Sequence, residues 1–64
     1  MKALNDAIRA AGSAANLGKM IDVSGDRVRM WKHRGSLPVK YVLAIERSTG
    51  VSRHDLRPDI YPKE

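Results

Sequence analysis

Four basic residues, Arg27, Arg29, Lys32 and Arg34, fall within eight consecutive positions that contain no acid. Guanidinium and ammonium groups grouped this way suit phosphate oxygens and the O6/N7 edge of guanine. The chemistry they point to is polyanion binding. Bond-making chemistry has little to build on. His33 and His54 are 21 positions apart, with no metal-ligand spacing near either. Ser52, His54 and Asp55 are the residue types of a hydrolytic relay, but they crowd into four positions and read better as a helix cap. Gly12, Gly18, Gly25, Gly35 and Gly50 are scattered as helix breaks and form no phosphate-cradling loop. The chain has no cysteine, which removes thiol catalysis, disulfides and the usual zinc modules. These features predict a non-enzymatic protein with no cofactor, no metal and no small-molecule substrate.

The charge is unevenly distributed. The formal net charge is +5, yet Lys2, Arg9 and Lys19 balance Asp6, Asp22 and Asp26 over residues 1–26. The window 27–34 carries +4, and the remainder, with Glu46, Asp55, Asp59 and Glu64 set against five bases, adds only +1. An excess confined to one element predicts a polyanion-binding face, with nucleic acid as its commonest partner.

With 64 residues and 7.1 kDa, residues 1–64 make one domain with a small core. Hydrophobic residues are 42% of the chain and mean hydropathy is −0.43, a composition that folds and dissolves. Charges interrupt every apolar stretch well short of the roughly 20 residues a membrane span needs. Asp6 and Arg9 fall where the apolar part of a signal peptide would run. The expected location is the cytoplasm.

Local signals divide the chain into five short helices. Leu4, Ile8 and Ala11 keep helical spacing until Gly12. Ser13 caps a second helix, about 14–21, with Leu17, Met20 and Ile21 on one stripe. Asp22-Val23-Ser24-Gly25 breaks it, and Ser24 caps a third, about 25–33. Gly35-Ser36 ends that helix. Pro38 fits the first turn of a fourth, which carries Val42 and Ile45 inward and stops at Gly50. Ser52 with Asp55 reads as a near capping box for a one-turn fifth helix bearing Leu56. In the tail, 59–64, Ile60 and Tyr61 read as a segment that extends along a partner. The expected core is Leu4, Ile8, Leu17, Ile21, Val23, Val28, Trp31, Val42, Ile45 and Leu56. Trp31 belongs there because it shares a phase with Val28 and the chain has no phenylalanine.

Two short helices joined by a tight turn, the second strongly basic, match a helix-turn-helix. From Asp22-Val23-Ser24 through Val28, Trp31, Leu37-Pro38, Ala44-Ile45-Glu46 and Thr49-Gly50 to Leu56–Tyr61, the sequence resembles the YdaS-like and Cro-like phage regulators. These belong with the λ-repressor-like DNA-binding domains. The resemblance implies an all-α, compact five-helix bundle with its third helix in the DNA major groove. It also implies a prophage-encoded transcription regulator, a type sometimes described as an antitoxin. Three positions depart from the pattern. Asp22 stands where glycine is usual, and Gly18 stands where alanine is usual, at about 1 kcal/mol of helix propensity. Gly25-Asp26 stands where many relatives carry glutamine, so an operator sequence does not carry over.

With Val28 and Trp31 inward, Asp26, Arg29, Met30 and His33 line the opposite face and are the expected base readers. Arg27, Lys32, Arg34 and Ser13 are the expected phosphate contacts. The reading is a Cro-type repressor bound to a double-stranded DNA operator as a homodimer, with the fifth helix and the Ile60-Tyr61 tail as its dimer surface. The rival is an antitoxin-like module that neutralises a toxin by direct binding, its basic helix merely solvated.

Overall fold

Helix ends leave main-chain donors and acceptors without partners, and short side chains of this sequence satisfy them. In the computed structural model, which describes residues 2–62, α1 spans Lys2–Ala11, α2 Ala14–Ile21 and α3 Gly25–Arg34. A 3-10 turn over Val39–Tyr41 leads into α4, Val42–Thr49, and α5 spans Arg53–Leu56. Met1 lies outside the described residues, as do Lys63 and Glu64 at the end of the expected tail.

Ser13 Oγ accepts the Asn16 N–H at 3.1 Å and Ser24 Oγ accepts the Arg27 N–H at 3.2 Å, so both helices of the helix-turn-helix have side-chain caps. Asp22 closes α2 in the left-handed conformation, φ 64°. This conformation disfavours most L residues, and aspartate is among those that tolerate it best. Two local expectations need correction. Pro38 precedes a 3-10 turn, and the α-helix begins only at Val42. Ser52 caps α5 through the His54 N–H at 3.1 Å, while α4 supplies the acceptor for the Arg53 N–H, Glu46 Oε2 at 2.8 Å.

Every α-helix contributes to one core of Leu4, Ala7, Leu17, Ile21, Val28, Trp31, Leu37, Val42, Ile45 and Leu56. Ile8 and Val23, expected inside, are half-buried at its edge. Ala7 and Leu37 take interior places instead. Trp31 is 6% exposed and lies against Tyr41, with ring centroids 5.1 Å apart.

The α2–α3 junction is closer than alanine would allow. A Cβ built on Gly18 would lie 2.5 Å from the Val23 carbonyl oxygen, and one on Gly25 would lie 3.0 Å from Ala15 Cα. Gly18 therefore lets the turn fold down onto α2, which offsets its poor helix propensity. The usual alanine would not fit this turn without backbone movement.

The C-terminal third is held differently. Glu46 also accepts from Arg53 Nη1 at 3.3 Å, and Thr49 Oγ1 donates to the Ile45 carbonyl at 2.8 Å. Arg57 Nη1 donates to the Leu37 carbonyl, and its Nε and Nη2 reach Asp59 at 2.9 and 2.7 Å. His54 Nδ1 lies 2.8 Å from the Tyr61 carbonyl oxygen. A carbonyl only accepts, so that nitrogen carries the proton. Tyr61 packs against the core, with the Arg53 guanidinium 5.7 Å from its ring centroid. The described part of the tail, residues 59–62, thus folds back onto its own domain through Tyr61 and does not run out as a free strand.

Candidate nucleic-acid interface

Ten residues make α3 about 15 Å long. At about 100° per residue, Asp26, Arg29, Met30 and His33 share a sector diametrically opposite Val28 and Trp31. Arg27 and Arg34 flank that sector on one side and Lys32 on the other. The buried pair holds the helix from beneath, and all seven remaining residues after Gly25 are exposed. Met30, half exposed at 50%, offers an apolar tip in the middle of the charged face.

The cations of α3 are not equivalent. Among the described residues, Arg27, Lys32 and Arg34 have no acidic partner, whereas Arg29 Nη1 meets Asp26 Oδ1 at 2.7 Å. The helical spacing puts both groups on one face, and the structure joins them as an ion pair. Ser13 is exposed at the start of α2. Its oxygen accepts from Asn16, and its hydroxyl proton is still available to donate.

Lys40 was not singled out from the sequence. Its ammonium lies 5.6 Å above the Tyr41 ring, and Tyr41 in turn stacks on Trp31, so a further exposed cation stands beside α3. The signal in the sequence is the adjacent Lys40-Tyr41 pair, since an aromatic pairing of Tyr41 with the indole is favourable and carries the neighbouring base with it.

The groups of a hydrolytic relay do not assemble. Ser52 Oγ accepts from the His54 main chain, and His54 Nδ1 is directed at the Tyr61 carbonyl. Among the described residues no group of three or more His, Asp or Glu side chains is placed to hold a metal ion. No helix of the described residues is long and apolar enough to cross a membrane. The strongest electrostatic perturbation lies elsewhere. The hydrogen bonds from Arg57 hold the Asp59 carboxyl below its ordinary 3.8, at about 2.

A capped helix pair, a tight left-handed turn and an outward basic second helix on an all-α core define a helix-turn-helix bundle. The chain belongs to the family described as bacterial toxin YdaS, whose model matches residues 4–64. It is also similar to the solved structure of the Cro protein from prophage element Xfaso 1 in Xylella fastidiosa strain Ann-1. That likeness has a TM-score of 0.93 at 32% identity, and covers 98% of this chain and 100% of the other. None of the curated proteins matches the chain.

Proposed function

We propose that this protein is a prophage regulator of Cro type that binds double-stranded DNA through α3. The observation that carries the reading is the outer face of α3, where Arg27, Lys32 and Arg34 stand exposed, without acidic partners among the described residues, around Asp26, Arg29, Met30 and His33. In the major groove, the flanking cations and Ser13 at the α2 N-terminus would hold phosphates, while the central sector met base edges. The likeness to a Cro protein supports the same use of the fold.

One such module buries only about 600–1,000 Å² on DNA. Two copies on a pseudo-palindromic site would supply the rest, and the α5 side, where Ile60 is 48% exposed, is the proposed contact. Repression would follow from occupying a promoter in the bacterial cytoplasm. An antitoxin that masks a toxin by direct contact has no need of three exposed cations gathered on one helix, so the observed face favours DNA.

Fluorescence anisotropy with short duplexes tiling the DNA upstream of the gene tests this reading. With four to six phosphates contacted per subunit, log affinity should fall with log salt at about −0.9 per contact. Equal binding to every duplex, with no response to salt, would overturn the reading.

A further inference from the structure

Asp26 is the only acid in α3, and it lies on the sector that would face the bases. Its side chain is 88% exposed and that of Arg29 is 63% exposed, yet the two are joined at 2.7 Å. An exposed pair of this kind contributes little to stability. A negative charge in the first turn does favour the helix N-terminus, but an acid at position 27, away from the central sector, would serve that end as well. Neither explanation accounts for a carboxylate that neutralises the central arginine of a cationic face.

We propose that Asp26 is a specificity-determining residue that works with Arg29 as one donor–acceptor unit; the inference rests on the DNA-binding reading above. Asp26 Oδ1 engages a single donor of Nη1, which leaves the fork formed with Nη2 to meet guanine O6 and N7. The other oxygen, Oδ2, has no hydrogen-bond partner among the described residues. It can accept from an exocyclic amine, N4 of cytosine or N6 of adenine, at the same or a neighbouring base pair.

The carboxylate also acts by exclusion. It repels phosphate and restrains Arg29 from joining the backbone contacts, a penalty paid on every duplex. Only a site that presents the amine beside the guanine returns a compensating bond. Asp26 therefore weakens binding to unrelated DNA more than binding to the preferred site, which is how an unfavourable group sharpens selection.

The test compares the wild type with Asp26→Asn, Asp26→Glu, Arg29→Ala and the Asp26→Asn/Arg29→Ala double variant. Each is first checked for unchanged helicity. Affinities are measured for the best duplex from upstream of the gene, its single-base variants and an unrelated duplex, across a salt series. Asp26→Asn should tighten binding to the unrelated duplex roughly tenfold and steepen its salt slope by about one as Arg29 is freed for phosphate. It should also flatten preference at the base pairs that Arg29→Ala flattens, with no further flattening in the double variant. Asp26→Glu, which keeps the charge within reach, should restore most of the preference. If Asp26→Asn tightens all duplexes equally and leaves base preference intact, the inference fails while the DNA-binding reading stands. If the wild type distinguishes no duplex but still responds to salt, the inference alone fails; if it binds every duplex equally with no response to salt, both fail together.

Discussion

The third helix and the segment from α5 to the tail are both rich in cations, but they hold them in opposite ways. On α3, Arg27, Lys32 and Arg34 face solvent with no acidic partner among the described residues, and only Arg29 is paired. Beyond α4, Arg53 bridges to Glu46, and Arg57 is clamped between Asp59 and the Leu37 carbonyl. Net charge counts these arginines alike. The structure separates cations available to a ligand from cations occupied in holding the fold. The packing differs in kind as well: α3 is seated by Val28, Trp31 and the close backbone approach at Gly18, whereas α5 and the tail add directed polar contacts to the apolar packing of Leu56 and Tyr61. Changes on the outer face of α3 should therefore spare the fold, and changes at the C-terminal arginines should not.

The firmest way to break this comparison is to spoil the shape-based seat of α3. Gly18→Ala places a methyl 2.5 Å from the Val23 carbonyl oxygen, which is main chain and cannot rotate aside. Overpacking of this kind costs about 1–3 kcal/mol, partly offset by about 1 kcal/mol of better helix propensity. The expected result is a lower melting temperature by circular dichroism and weaker DNA binding through loss of the turn. An unchanged or higher melting temperature would show that the turn can move away, and that α3 is not seated by close approach.

The parts of this contrast legible in the sequence are the local ones. Ser13 and Ser24 announce helix starts because a cap acts on a donor only three residues away. The basic window and the inward phase of Val28 and Trp31 need only helical periodicity. What escaped was set by distant chain. Leu37 follows two breakers and reads as loop, but it is fully buried because the chain after α3 turns inward to close the core. Arg57 reads as one more surface base, since its acceptor on Leu37 is 20 residues earlier. Ile8 has the right phase for the core, yet it packs at the core's edge and remains half-buried. The Asp26–Arg29 pair was within local reach, because a three-residue spacing on a helix brings opposite charges together.

A second comparison sharpens the difference between free and occupied cations. Arg34→Ala removes a group with no acidic partner among the described residues, so stability should be unchanged while the DNA salt slope falls by about one per subunit. Arg53→Ala removes the bridge to Glu46 and the stacking over Tyr61, so the melting temperature should drop and the salt slope should hold. Melting curves and salt titrations of both variants decide the matter. If both lower the slope equally, the C-terminal arginine also reaches DNA and the proposed division of the cations is wrong.

The smallest expected effect concerns the clamp at the end of the chain. Hydrogen bonding from Arg57 lowers the Asp59 carboxyl from 3.8 to about 2 in the folded protein. A folded-state value below the unfolded one means that the charged form is preferred on folding, so its contribution is complete above the ordinary value. It is lost as pH falls from 3.8 through about 2, where the clamped carboxyl finally takes a proton. With the Asp59 side chain 62% exposed, water and salt screen the pair, and the effect should be modest and weaker still at high ionic strength. Asp59→Asn has no charge to lose, so its melting temperature should begin lower at neutral pH and converge on the wild type through that acid window. Parallel curves with a constant offset would show that the Asp59 charge does not contribute, and that Arg57 holds the segment through the Leu37 carbonyl alone.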